Sequence, residues 1–124
     1  MKILNFINNE WIEPEVSAYL DVHNPAMGEA IARTPLCGRA EVEAAAQAAA
    51  EAFPAWRATP VEERIQFLFK LRDLLKANLD ELGRTITNEC GKTFEEATGE
   101  MIRAIENVEV ACGMPMLMKG EISE

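Results

Sequence analysis

Histidine and cysteine are scarce in this sequence of 124 residues, which contains one histidine and three cysteines. Cys37, Cys90 and Cys112 lie far apart, form no Cys-X-X-Cys pair, and have only His23 as a further soft ligand, so no zinc site is predicted. An odd number of separated thiols is typical of a reduced intracellular protein rather than a disulfide-linked secreted one. We therefore predict a cytoplasmic chain without a metal site.

Positive charge is also in short supply, with 12 lysines and arginines against 21 aspartates and glutamates, and the net charge is −9. A protein of this sign repels polyanions on average, which argues against nucleic acid and anionic membranes as partners. No apolar run approaches the ~20 residues of a membrane-spanning helix, and no apolar signal segment follows Met1 and Lys2. The 48% of apolar residues is ordinary for a single globular domain.

The seven glycines form no phosphate-binding loop, because neither G-X-G-X-X-G nor G-X-X-X-X-G-K-[S/T] occurs in the sequence. Gly91-Lys92-Thr93 matches only the end of the second pattern and lacks the upstream glycine and strand. We interpret it as a junction between two helices, at which Gly91 takes the left-handed conformation that ends a helix. No nucleotide-binding residue is predicted within the chain.

Strand signals are confined to residues 3–36. Asn8-Asn9 separates two short apolar segments, and asparagine tolerates the positive φ angles of a tight hairpin turn. A second turn-rich stretch, residues 24–28, separates another such pair. The pattern predicts two β-hairpins, with strands at residues 3–7 and 10–12 and at residues 19–23 and 29–34.

Residues 39–119 carry helix signals, and the predicted helices cover residues 40–52, 60–77, 79–89 and 94–114. Pro54 is predicted to end the first helix and Pro115 the last, because proline removes a hydrogen-bond donor. Thr59 and Thr93 are each followed three residues later by glutamate, which predicts capping boxes for the second and fourth helices. The chain is thus predicted to be mostly α-helical, with short β-hairpins at its amino end.

Arg103 is the residue with the strongest candidate functional role. It lies mid-helix between apolar neighbours, with Glu100 and Glu106 three positions away on either side. Either it pairs with those glutamates on the surface, or its planar guanidinium faces a pocket and holds a ligand carboxylate with two hydrogen bonds. Both alternatives remain open from the residues alone. Cys37, just before a helix, and His23, at a strand end, are interpreted as structural residues.

Several short motifs follow one another in a fixed order: Phe6-Ile7-Asn8-Asn9-Glu10-Trp11, Asn24-Pro25-Ala26-Met27-Gly28-Glu29, Ala52-Phe53-Pro54-Ala55-Trp56 and Glu89-Cys90-Gly91-Lys92-Thr93. Together they resemble the amino-terminal quarter of the NAD-dependent aldehyde dehydrogenases, which have an α/β fold. The resemblance covers residues 1–124 and implies a single, incomplete part of the NAD-binding domain. Its hairpins would lie in residues 1–37 and its helices in residues 39–119.

The segment from Gly99 to Glu109 is similar to the CoA-acylating methylmalonate-semialdehyde dehydrogenases. These enzymes oxidise malonate or methylmalonate semialdehyde with NAD and CoA, and form acetyl-CoA or propionyl-CoA. Because this substrate carries a carboxylate, the resemblance implies that Arg103 binds it. The sequence departs from the subfamily pattern at Asn9, Met27, Cys90, Val110 and Met116.

The resemblance also implies that the family's nucleophilic cysteine, oxyanion-stabilising asparagine and NAD-binding glycine turn have no counterpart in residues 1–124. We therefore expect a chain that is inactive alone and binds neither NAD nor CoA. Two alternatives stay open: part of a non-acylating aldehyde dehydrogenase, and a non-catalytic helical module. The last helix and the tail from Met114 to Met118 carry apolar residues beyond a single stripe, which predicts self-association as a homo-oligomer.

Overall fold

The computed structural model describes residues 1–120, which form two antiparallel two-stranded sheets and five helices. The first sheet pairs β1 (Asn5–Ile7) with β2 (Glu10–Ile12), and the second pairs β3 (Tyr19–His23) with β4 (Ala30–Pro35). The helices are α1 (Arg39–Ala58), α2 (Val61–Ala77), α3 (Leu79–Cys90), α4 (Phe94–Cys112) and α5 (Met114–Leu117). About 60% of the chain is helical, so the predicted fold class is confirmed.

The described residues divide into two compact units. The first consists of Met1–Ala58 with Glu89–Gly91, and the second of Thr59–Asn88 with the described residues from Lys92 onward. None of the helices within residues 1–120 is both long enough and apolar enough to cross a bilayer.

The β1–β2 hairpin has the turn that its sequence predicts. Asn8 and Asn9 both have positive φ angles, 52° and 63°, which is the conformation of a two-residue turn whose twist matches the flanking strands. Phe6 and Trp11 are direct cross-strand partners, and their ring centroids lie 4.8 Å apart. Such aromatic pairs stabilise a hairpin that has few other contacts.

The chain start lies beside β4, an arrangement that the sequence pattern did not indicate. The backbone N–H of Ile3 donates to the carbonyl of Arg33 at 2.9 Å, and the N–H of Arg33 donates to the carbonyl of Met1 at 2.8 Å. This parallel bridge takes up the first residues of the predicted strand 3–7, so β1 begins only at Asn5. The second hairpin agrees with the prediction apart from an irregularity between Val22 and His23.

Pro54 does not end the first helix, contrary to the prediction, because α1 continues through it to Ala58. The proline leaves the carbonyl of Ala50 without its usual donor. None of the residues of α1 is buried, so water can hydrogen-bond to that carbonyl and the interruption costs less than it would in a core helix.

Two other predicted helix ends are wrong by a few residues. Pro60, rather than the predicted Thr59, is the N-cap of α2, and no side-chain hydrogen bond caps this end. The carbonyl of Pro60 accepts from the N–H groups of Glu63 and Arg64. At the other end of the chain, α4 stops at Cys112, and Pro115 lies in the first turn of α5. There its missing N–H is harmless, because first-turn N–H groups have no helical partner.

The second unit is built by packing α2 and α3 against α4. Ala97 is completely inaccessible, and Ile105 and Cys112 continue the buried face of α4 at helical spacing. Gly83 of α3 lies against this helix so closely that an added Cβ would be 3.1 Å from both Phe94 and Thr98. The contact face is narrow, because most other apolar side chains on these helices are partly or largely exposed.

Gly91 ends α3 in the predicted left-handed conformation, with φ of 71°, and lies against Pro25. An alanine Cβ here would be 2.9 Å from the rigid Pro25 ring, whereas Gly28, with φ of 73°, has nothing within 4 Å of that position. Both alanine substitutions incur a left-handed backbone penalty of about 1–2 kcal/mol. We expect Gly91→Ala to lower the free energy of unfolding by at least about 1 kcal/mol more than Gly28→Ala, because only the former creates a clash.

Urea unfolding of the two variants, followed by circular dichroism, measures this difference. Equal losses of stability would show that the packing of Gly91 against Pro25 contributes nothing.

Candidate functional site

The start of α4 is defined by the predicted capping box at Thr93 and Glu96. The N–H of Glu96 donates to the hydroxyl of Thr93 at 3.2 Å, and the N–H of Thr93 donates back to the carboxylate of Glu96 at 3.1 Å. Hydrogen bonds from the side chain and backbone of Thr93 hold the pKa of Glu96 below its usual value. The box fixes where α4 begins, and so which of its residues share a face.

That face forms a shallow cleft of about 300 Å³ at the surface of the second unit, lined by Lys92, Glu96, Gly99, Glu100 and Arg103. The four lining residues on α4 recur every three or four positions or are adjacent, which places them close together along one side of the helix. Gly99 contributes space, since even an added Cβ there would lie 3.9 Å from Nη1 of Arg103. The guanidinium of Arg103 therefore borders an open volume.

Arg103 does not pair with its neighbouring glutamates, although their spacing permits it. Glu100 forms an ion pair with Lys92 instead, and within residues 1–120 no ion pair to Arg103 is formed. Asn107 donates to the backbone carbonyl of Arg103 at 2.9 Å and leaves its side chain untouched. Within the described residues, the structure thus shows no surface pairing of Arg103 with Glu100 or Glu106.

The chemistry available in this cleft is recognition of a small anion. A guanidinium presents parallel N–H donors that match the two oxygens of a carboxylate, and its positive charge strengthens both hydrogen bonds. Lys92 brings a second cation to the cleft, while its ion pair neutralises the charge of Glu100. No group of three or more potential metal ligands occurs among residues 1–120.

The cysteines lie elsewhere. Cys37 is exposed just before α1, and its sulfur is 3.3 Å from the side-chain amide nitrogen of Asn5. The N–H of Gly38, immediately before that helix, donates to the carboxylate of Glu41 at 2.7 Å. This negative charge opposes the binding of a phosphate at the helix end. Cys90 is also exposed, and Cys112 is buried.

The sequence pattern did not indicate that Lys92 belongs to the candidate site. It was part of a motif interpreted only as a helix junction, and its partner Glu100 lies eight positions away along the chain. The available signal was its place immediately before the N-cap Thr93, from where a long side chain can reach back along the first turns of α4.

Residues 11–124 match the sequence model of the Aldehyde dehydrogenase family. The chain belongs to this family. Malonate-semialdehyde dehydrogenase from Bacillus velezensis is 47% identical over 120 residues, which are 97% of this chain and 25% of that protein. The family membership predicted from the short motifs is thereby confirmed.

Solved structures agree with the sequence comparison. Methylmalonate-semialdehyde dehydrogenase from Oceanimonas doudoroffii has a TM-score of 0.92 and 41% identity, covering 100% of this chain and 25% of its own. A Sinorhizobium meliloti 1021 protein described as a methylmalonate-semialdehyde dehydrogenase, crystallised with NAD, has a TM-score of 0.93 and 31% identity with the same coverage. The chain thus has the aldehyde dehydrogenase fold and spans about a quarter of the length of these relatives.

The described residues of this family member do not fit NAD. A dinucleotide site needs a glycine-rich turn between a strand of a parallel sheet and a helix whose N-terminus is free to receive the pyrophosphate. In residues 1–120, the link from β4 to α1 has the single glycine Gly38, and its N–H is already bound to Glu41. A second negative charge at this helix end would be repelled.

Proposed function

We propose that this chain is the substrate-recognition arm of a cytoplasmic, NAD-dependent, CoA-acylating malonate- or methylmalonate-semialdehyde dehydrogenase. The observation that carries the proposal is the guanidinium of Arg103, which borders an open cleft and is held in no ion pair within residues 1–120. Its relatives are named for semialdehydes that carry a carboxylate, the group that a guanidinium binds best. The exposed thiols Cys37 and Cys90 fit a reducing compartment.

The role of Arg103 in this enzyme is to bind and orient the substrate. Two charge-assisted hydrogen bonds to the carboxylate fix one end of a three-carbon semialdehyde, so that its aldehyde carbon is presented in one direction. Neutral aldehydes lack the group that Arg103 binds, and they gain nothing from this contact. The arginine therefore confers selectivity for acidic aldehydes.

The reacting groups belong to the rest of the enzyme. There, NAD would accept the hydride and CoA would accept the acyl group. Cys37 and Cys90 lie at exposed helix ends and Cys112 is buried on α4, so we assign none of them the role of nucleophile. The chain contributes recognition and orientation, and leaves bond making and breaking to other residues.

The 124-residue chain alone is expected to reduce no NAD with malonate semialdehyde or with any neutral aldehyde. Residues 1–120 form no cradle for the cofactor, and we assign none of the cysteines the role of nucleophile. Absorbance at the wavelength of NADH measures this directly. The complete reading frame, assayed with and without CoA, is the positive control, and formation of acetyl-CoA distinguishes an acylating enzyme from a non-acylating one. Turnover by the short chain that persists through purification and disappears in Cys37→Ala would contradict the assignment.

A further inference from the structure

Glu100 poses a problem for a carboxylate-binding Arg103. The two residues are three positions apart on α4, the spacing at which a glutamate and an arginine pair on a helix surface. A paired guanidinium would have to give up this internal carboxylate before it could bind one from a ligand. In the structure the problem does not arise, because Glu100 is turned to Lys92.

The position of Lys92 explains why Glu100 pairs with it rather than with Arg103. It precedes the N-cap Thr93 and lines the same cleft as Glu100 and Arg103. Its ion pair with Glu100 is partly withdrawn from water, with 38% of the lysine side chain and 39% of the glutamate side chain exposed. Partial burial strengthens the attraction between opposite charges relative to a fully solvated pair.

We propose that Lys92 is a positioning residue that holds Glu100 away from Arg103 and so keeps the guanidinium available for a substrate carboxylate. This inference rests on the proposed function of Arg103. Lys92 itself does not contact the ligand. It acts by pairing with the carboxylate of Glu100, which would otherwise compete with the ligand for Arg103. Without Lys92, Glu100 would turn to Arg103 and compete with the ligand for the same donors.

The size of the effect follows from the strength of such pairs. Exposed and half-exposed ion pairs on helices are worth little each, which corresponds to roughly a two- to five-fold change in an equilibrium constant. We therefore expect Lys92→Met to weaken carboxylate binding about two- to five-fold. Glu100→Gln removes the competitor and is expected to leave binding at or slightly above the original affinity.

The decisive variant is the double substitution Lys92→Met with Glu100→Gln, in which binding is expected to return to the original level. The probe is 3-hydroxypropanoate, the unreactive alcohol counterpart of malonate semialdehyde, titrated into the isotope-labelled 124-residue chain. Amide signals of Gly99 and Arg103 report binding by nuclear magnetic resonance. Lys76→Met is the matched control, because it removes a comparable ion pair, Lys76 with Glu109 at 2.6 Å, outside the cleft. It should leave the affinity unchanged.

The outcomes distinguish the positioning role of Lys92 from the carboxylate-binding role of Arg103. If Lys92 contacts the ligand directly, affinity falls in Lys92→Met and stays low in the double variant, which overturns the positioning role but leaves that of Arg103. If the unmodified chain and Arg103→Gln show the same titration, the carboxylate-binding role of Arg103 fails.

The side-chain signals of Arg103 and Glu100 provide a test that needs no ligand. They are expected to shift in Lys92→Met, as Glu100 moves to the arginine, and Lys92→Arg is expected to preserve the original signals. Unchanged signals in Lys92→Met would overturn the proposed competition even if the ligand binds.

Discussion

In light scattering at micromolar concentration, the 124-residue chain is expected to have at least twice its monomer mass of 13.8 kDa. Few apolar side chains within residues 1–120 are buried: Pro14, Ala32, Ala97, Ile105 and Cys112. The chain exposes 9538 Å², whereas even two separate compact units of half its mass would together expose about 8,000 Å². The excess of roughly 1,500 Å² on one chain is larger than the ~800 Å² that each partner buries in a standard protein interface.

We propose that a second copy of the chain covers the outer face of α4 and α5. The exposed apolar side chains by which we define this face are Ile102, Val110, Met114, Met116 and Leu117. Methionine side chains are flexible and polarizable, so they adapt to a partner surface without specific complementarity. The net charge of −9 opposes association only weakly, because repulsion between exposed charges is screened beyond ~10 Å at 0.1 M salt.

The double substitution Ile102→Glu with Val110→Glu is expected to return the mass to that of a monomer, since it places two charges in the apolar contact. Val42→Glu on α1 is the matched control, because Val42 is as exposed as Val110, 63% against 66%, but does not lie on this face. A dilution series at moderate salt measures the mass of each. A chain that stays at 13.8 kDa throughout, or that Val42→Glu dissociates equally well, would refute this assignment of the interface.

The second large effect is expected in the complete enzyme, where Arg103→Gln should raise the KM for malonate semialdehyde about 10- to 100-fold. Removing a charged partner from a hydrogen-bonded ion pair costs about 1.5–3 kcal/mol, and each 1.4 kcal/mol is about a factor of ten. We expect kcat to change much less, because the contact to the carboxylate is made in the bound ground state as well as in the transition state. Steady-state kinetics with varied semialdehyde measure both constants.

Propanal is the matched substrate for this prediction, because it has the same chain length and no carboxylate. Its kinetic constants should be nearly the same in the original enzyme and in Arg103→Gln. Arg39→Gln, which removes an exposed arginine paired with Glu43 on α1, serves as the control variant. A similar loss of activity towards propanal would mean that Arg103 supports the structure rather than the substrate.

The features that could be predicted from the sequence are those whose contacts lie within a few residues. The Asn8-Asn9 turn and the capping box of Thr93 with Glu96 depend on neighbouring backbone and side-chain groups, and both are present as expected. The prediction that Pro54 ends the first helix was wrong because the cost of a proline in a helix depends on whether the freed carbonyl reaches water. A local sequence pattern does not contain that information. The bridge of the chain start to Arg33 joins residues some thirty positions apart and was not predictable from alternation.

In the candidate site, too, the local features were predictable from the sequence and the longer-range contacts were not. Arg103 was singled out from its place between apolar residues and from the family resemblance, and the structure adds that its side chain borders an open cleft. Whether Glu100 pairs with Arg103 or with Lys92 depends on how the chain enters α4, because Lys92 lies outside the helix. Helical spacing alone favoured the wrong pair. That Lys92 competes with Arg103 for Glu100 follows only from the three-dimensional path of residues 91–93.

The unequal exposure of the three thiols gives the chain a built-in folding reporter. Cys37 and Cys90 are exposed, whereas Cys112 lies in the narrow buried face of α4. A thiol reagent is therefore expected to titrate two groups in the native chain and to reach the third only when the second unit opens around Cys112. The rate at which the third group reacts measures the opening of the second unit alone, without a spectroscopic probe and without any substitution. Since few other side chains cover that face, the opening rate should respond strongly to anything that binds there.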